Sequence, residues 1–200
     1  MQLNWIQLQT QASRSYVCGY CGNQLASEKG YCANWSDTNR LGAYIYICHH
    51  CHRPTFFDIN GAQTPGARIG NDVSDISEQN VADLYDEARD SYSSKAYTAT
   101  ILCCRKLLMH IAVSKGAKPN LKFIDYVEHL SKNNYIPPDA KEWVDHIRNK
   151  GNEANHEIVI MKEEDAKDLI SFIEMLLKII YEFPANIKKK TTRPDVTTSQ

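Results

Sequence analysis

The sequence predicts an α+β protein, with a small β-rich N-terminal part followed by an all-α antiparallel bundle, and three observations carry that expectation. Cysteines come in two Cys-x-x-Cys pairs, Cys18/Cys21 and Cys48/Cys51, within segments rich in β-branched and aromatic residues. From residue 60 to 75 the composition turns to Gly, Pro, Ala and Asn, which reads as a linker crossing the surface. Beyond it apolar residues recur at spacings of three and four, the period of helices. The expected divisions are 1–72 for a ribbon and its linker, 73–185 for the bundle, and 186–200 for a basic disordered tail.

Residues 14–59 read as short strands and turns, with Leu41–Cys48 and Thr55–Ile59 as the clearest strands. So little apolar material cannot hold itself together unaided. In the second part Val81, Leu84, Tyr85, Ala88 and Tyr92 form one stripe, with Ser74 or Ser77 as N-cap. Tyr97, Ile101, Cys104, Leu108, Ile111 and Ala112 form a second. A shorter helix opens after Asn120, a fourth starts near Asp139, and a fifth runs from about Lys162 until Pro184 ends it. No internal repeat is present.

The formal net charge is −1, so composition supplies no global reason for a nucleic-acid or membrane partner. The charge is uneven: residues 73–185 carry fourteen Lys/Arg against nineteen Asp/Glu, whereas 186–200 carry four against one. The most hydrophobic run, Leu169–Tyr181, is interrupted by Glu174 and Lys178, so no membrane span is expected. The start, Met1-Gln-Leu-Asn-Trp5, lacks the order of a secretion signal. Seven cysteines, four of them paired, suit a reducing compartment, and a cytoplasmic protein is expected.

Each Cys-x-x-Cys places two thiolates on one tight turn, and two such turns complete a tetrahedron around one ion. Zinc is the expected metal, held by Cys18, Cys21, Cys48 and Cys51; an iron–sulfur cluster or a redox pair is the competing reading. Twenty-six residues separate the pairs, which points to an enlarged hairpin. Four thiolates leave no position for water or substrate, so the role is structural. His49, His50 and His52 are either exposed knuckle residues or substitute ligands, and Cys32 is a spare thiol near the metal. Cys103 and Cys104 are read as small helix hydrophobes without a chemical role.

Arg148-Asn-Lys-Gly-Asn-Glu-Ala-Asn-His156 gathers an Arg, three Asn and a His around a Gly that loosens the helix. Arg148 offers a fixed fork for a phosphate, with Asn149 and Asn152 beside it, and His156 can exchange a proton at neutral pH. Those are the parts of a metal-free ribonuclease: base, acid and a cation for the pentavalent phosphate. The alternative is that Arg148 and His156 cap carbonyls and pair with Asp145, Glu153 or Glu157.

Three stretches in order behind a ribbon, Tyr97-Thr-Ala-Thr-Ile-Leu-Cys-Cys-Arg105-Lys-Leu-Leu, Arg148–His156 and Ile180-Tyr-Glu-Phe-Pro184, resemble a bacterial domain-of-unknown-function family assigned to the HEPN superfamily. The resemblance covers residues 76–184. Its members often carry an N-terminal zinc ribbon and also occur fused to restriction-type helicase subunits. It implies a HEPN-like antiparallel bundle, a homodimer with the Arg–His motifs facing one cleft, and a metal-independent endoribonuclease of defence, restriction or toxin systems. By that analogy Arg148, Asn149 and His156 carry the chemistry and leave a 2′,3′-cyclic phosphate, while Arg105 braces the bundle. Seven residues separate Arg148 from His156, a longer gap than the usual motif has.

Two functions therefore stand. In the first the bundle cleaves RNA and the ribbon is a recognition arm, its aromatics Tyr16, Tyr20, Tyr31, Trp35, Tyr44 and Tyr46 either stacking on bases or forming the ribbon's own core. In the second the chain is a non-catalytic adaptor joining a nucleic-acid enzyme or restriction-system partner to its regulator, which the acidic bundle favours.

Overall fold

The computed structural model describes Leu3, residues 5–137 and residues 160–191. The fourth helix expected near Asp139 lies outside them. The N-terminal part is an antiparallel meander of five strands in the order β1-β2-β3-β4-β5: Gln9–Val17, Gln24–Asn34, Leu41–Ile47, Pro54–Asp58 and Gln63–Thr64. The class is α+β, as expected. The long interval between the cysteine pairs is the β2–β3 hairpin, whose strands pair from Gly30↔Tyr46 to Asn34↔Leu41. Alternation sends Tyr16, Leu25, Tyr46 and Phe57 to one face, where Phe57 meets Tyr16 and Tyr46 edge-on with ring centres 5.2 and 5.8 Å apart. The Gln63 side-chain amide donates to the Val17 carbonyl at 2.8 Å, so the last strand is tied to the end of the first and the sheet curls.

The helices are α1 (Gln79–Ser93), α2 (Tyr97–Ser114), α3 (Phe123–Lys132), α4 (Glu163–Leu177), a π-helical turn (Lys178–Glu182) and α5 (Phe183–Thr191). Among these, α2 is apolar on several faces, burying Thr100, Ile101, Cys104, Leu107, Leu108 and Ile111, so α1, α3 and α4 pack around it. Asp125 and Asp165 each accept from a backbone amide three residues earlier, Lys122 and Lys162, which fixes the starts of α3 and α4. No described helix is long and apolar enough to cross a membrane.

Three local expectations are corrected. Glu78, not Ser74 or Ser77, stands at the start of α1, and its carboxylate is taken by His110 at 2.8 Å and Tyr181 at 3.1 Å. Pro184 does not end the last helix, and the chain beyond 186 is helical to Thr191. The π turn just ahead of Pro184 already breaks the α ladder, so the residue without an amide falls where that bond is not formed. The third concerns the stretch read as a surface linker.

That stretch is a strap bound along its length. Ile69, Val73 and Ile76 pack on the helical core. Arg89, only 2 % exposed on α1, donates to the carbonyls of Ile69 (3.0 Å) and Gly70 (2.8 Å) and to Asp72 (2.6 Å). Arg68 reaches back to Asp86 and Asp90, and Glu174 on α4 accepts from both the amide and the side chain of Asn71. Gly70 lies at φ +72°, and a Cβ there would stand 2.8 Å from the Tyr85 hydroxyl.

Removing the Arg89 guanidinium takes the donor from the Ile69 and Gly70 carbonyls of the strap. Arg89→Met is expected to cost about 3 kcal/mol in urea unfolding, roughly the loss of two hydrogen bonds from a buried charged donor. Burial alone would raise the Glu174 carboxyl, but the hydrogen bonds from Lys178 and Asn71 outweigh it and hold the group below its ordinary range. The folded chain therefore takes up this proton less readily than the unfolded chain. The stabilisation is complete above about pH 4.3, the usual Glu value, and is lost as pH falls through the lower folded value. Glu174→Gln is expected to lose about 1 kcal/mol at neutral pH and to flatten that acid limb of a stability–pH curve.

Candidate metal centre

Both cysteine turns are built alike. Each follows the end of a strand and reverses the chain into its antiparallel neighbour, β1 into β2 at Val17↔Gln24 and β3 into β4 at Ile47↔Pro54. In the first, the Gly22 amide donates to the Cys18 carbonyl at 3.0 Å and the Cys18 amide to the Asn23 carbonyl at 2.9 Å. In the second, the His52 amide donates to the Cys48 carbonyl at 2.8 Å and the Cys48 amide to the Arg53 carbonyl at 3.1 Å. Both turns need a left-handed residue after the second cysteine, Gly22 at φ +70° and His52 at φ +58°. A meander puts its first and third turns at the same end, so the two knuckles face each other.

The four sulfurs all lie within 4.8 Å of one another, with Cys18–Cys51 and Cys21–Cys48 each at 3.7 Å. A disulfide needs about 2.05 Å, so these are separate thiols. A tetrahedron with metal–sulfur bonds of about 2.3 Å has edges of about 3.8 Å, which is this spacing. A cluster of several irons would spread its cysteines over several metal atoms, whereas sulfurs this close suit a single ion. The set therefore fits a single metal with four thiolates and no open position.

The electrostatics point the same way. Burial pushes the Cys18 thiol up, and burial together with the neighbouring Cys18 pushes Cys51 up. Burial also opposes ionisation of Cys21, but hydrogen bonds from the Asn23 side chain and backbone outweigh it and lower that thiol to about 7. Thiols pressed together resist ionising side by side, and a divalent cation among them removes the opposition by deprotonating its ligands.

The structure brings together Cys18, Cys21, Cys48 and Cys51. It does not bring in Cys32, which is exposed on β2 near Gln9, 3.7 Å from its side-chain oxygen. His49 and His50 are exposed with rings 4.4 Å apart, and neither joins the cluster. Arg105 is buried on α2 with its guanidinium 4.3 Å over the Phe123 ring, and burial depresses its pKa. Arg148, Asn149, Asn152 and His156 lie outside the described residues. Of the ribbon aromatics, Tyr16 and Tyr46 are spent on its core, whereas Trp35 remains exposed.

Sequence reasoning assigned nothing to Arg89, although a signal existed. It lies four residues after Tyr85 and three before Tyr92, inside the apolar stripe, where a cation must find buried acceptors.

The knuckles close against the strap: a Cβ on Gly19 would collide with the Gly66 carbonyl oxygen and lie 2.7 Å from Pro65. Cys48→Ser is expected to abolish metal retention and to unfold the ribbon while the helical circular-dichroism signal largely persists. Gly22→Ala, forced to keep φ positive, is expected to cost about 1 kcal/mol and to lower metal affinity, read by competition with a chromogenic chelator.

No curated protein and no solved structure matches the chain. Residues 86–193, over half of it and including the interval from α3 to α4, match the family described as a domain of unknown function (DUF4145), and the chain belongs to that family.

Proposed function

We propose that this is a HEPN-like, cytoplasmic protein in which a ribbon (1–72) braced by one structural zinc ion serves a helical domain (73–185) that cleaves RNA without a metal. The observation that carries the reading is that the family match spans the whole Arg148–His156 motif. A closed four-thiolate set supports it, because such an ion holds a fold and leaves the chemistry to side chains. Zinc is preferred on the donor set: four thiolates from paired knuckles are its usual structural environment.

In this reading Arg148 stabilises the pentavalent phosphate, His156 moves the proton, and Asn149 and Asn152 orient the scissile group. Arg105 supports α2 from inside the bundle rather than touching substrate, as its burial against Phe123 favours. The helical domain would form a homodimer that sets two motifs about one cleft, in a bacterial defence, restriction or toxin system.

A second reading, a non-catalytic adaptor between a nucleic-acid enzyme and a protein partner, is favoured by a specific observation. Arg68 and Arg89 are consumed by internal ion pairs, and Arg14 lies over Phe57 at 4.5 Å. Those three cations are turned to internal contacts rather than to a broad RNA face.

The test is cleavage of end-labelled tRNA and single-stranded RNA in EDTA, with zinc content verified after incubation, beside folded Arg148→Ala and His156→Ala variants. The ribonuclease reading expects products with a 2′,3′-cyclic phosphate from the wild type and at least a hundredfold less from either variant, the scale of acid–base catalysis. Equal inertness of all three proteins selects the adaptor. Elemental analysis is expected to find about one zinc per chain; iron and a visible charge-transfer band would overturn the zinc assignment.

A further inference from the structure

Where the ribbon meets the helices lies an open cleft of about 510 Å³. It is lined by Tyr20 and Arg53 of the two knuckles, by Thr64, and by Asp90, Ser94 and Lys95 at the end of α1. Junctions between folded parts are common places for ligands.

Two cations line this cleft, Arg53 and Lys95. Arg53 and Lys95 are both exposed, and neither is in an ion pair with a described residue. Asp90, the carboxylate of the cleft, is committed to Arg68 at 2.9 Å. The cleft thus presents two uncompensated cations, with the hydroxyls of Thr64 and Ser94 beside them.

The Arg53 side chain and the Lys95 backbone are each fixed by a local contact. The Arg53 guanidinium lies 5.0 Å from the centre of the Tyr20 ring, a cation–π contact. Lys95 occupies the position just after the α1 cap, where a left-handed residue is needed and glycine is the usual choice. It sits at φ +62°, fixed by its amide donating to Tyr92 (2.8 Å) and the Ala96 amide donating to Ser91 (2.8 Å). Lys95 therefore holds a fixed left-handed position at the end of α1 with its side chain exposed at the cleft.

We propose that this cleft is a phosphodiester-binding site in which Arg53 and Lys95 hold backbone phosphates of single-stranded RNA. It deepens and rests on the reading of the chain as an RNA-acting protein. Planar and point-like cations from two separate parts of the fold, with hydroxyls on the same lining, suit a chain of phosphates and carry no base specificity. The site also gives the ribbon a task beyond bracing, since it supplies one of the two cations.

The test is fluorescence anisotropy of a labelled single-stranded RNA with the full-length zinc-loaded chain, all proteins carrying His156→Ala to suppress cleavage. Arg53→Gln and Lys95→Gln are each expected to weaken binding about tenfold and to lower the slope of log affinity against log salt by about 0.7, the value for one phosphate contact on a single strand. Lys118→Gln, an equal charge change on the exposed loop after α2, is expected to change neither. Zinc content and circular dichroism confirm that each variant is folded, and Lys95→Arg should restore binding. The site is overturned by absent RNA binding, by unchanged affinity in the first two variants, or by equal losses in all three. RNA cleavage by the protein without His156→Ala, together with unchanged affinity in the Arg53 and Lys95 variants, would remove the site and leave the ribonuclease reading. Binding through both residues by a protein that cleaves nothing would do the reverse.

Discussion

The relation between the ribbon and the helices depends on one buried cation. An arginine at 2 % exposure needs acceptors in the plane of its guanidinium, and the helix that carries Arg89 cannot supply them from its own backbone. They come from the strap: the carbonyls of Ile69 and Gly70 and the carboxylate of Asp72. Satisfying Arg89 therefore fixes the strap's path. The knuckle bearing Gly22 is drawn close enough that a Cβ there would lie 3.4 Å from the same guanidinium. Arg68, Asn71 and Ser74 extend the arrangement, each joined to a carboxylate on α1, α4 or the π turn.

The two cores solve different problems. The helical part buries a continuous set of aliphatic side chains from α1 to α4 around α2 and is held by the hydrophobic effect. The ribbon buries the far smaller set of Tyr16, Leu25, Tyr46, Ile47 and Phe57 with Cys18 and Cys48. A core of that size does not offset the entropy of ordering some fifty residues. Two knuckles that bring four sulfurs to tetrahedral spacing supply the remaining constraint, since metal binding to a site absent from the unfolded chain is itself folding energy.

Charge is distributed to match. Part of the bundle's acidic excess holds the strap, as Asp86 and Asp90 pair with Arg68 and Glu174 accepts from Asn71. Lys189 on α5 meets Asp75 at 2.7 Å, so the C-terminal helix, which buries none of its residues, is seated by polar contacts. That is why a segment read as a free tail continues as a helix to Thr191.

Some of this was legible in the sequence because it is local. Cys-x-x-Cys spacing dictates a turn with two sulfurs on one side, alternation in Leu41–Cys48 dictates a half-buried strand, and the stripes in α1, α2 and α4 dictate a shared apolar face. The enlarged interval between the cysteine pairs pointed correctly to a long hairpin. What only the tertiary structure decided involves partners distant in sequence. The Gly- and Pro-rich stretch after Asn60 has a linker's composition, and nothing within it announces that Arg89, some twenty residues on, will take its carbonyls. Ser74 and Ser77 are good capping residues by type, yet the place at the start of α1 went to Glu78, whose carboxylate is held by His110 and Tyr181 from α2 and the π turn. Pro184 is a helix breaker by its chemistry, and a π turn ahead of it removed the bond that it would have broken. Spacing and periodicity encode what neighbours along the chain can do together; buried cations, caps and straps are settled by groups that meet only once the chain has folded.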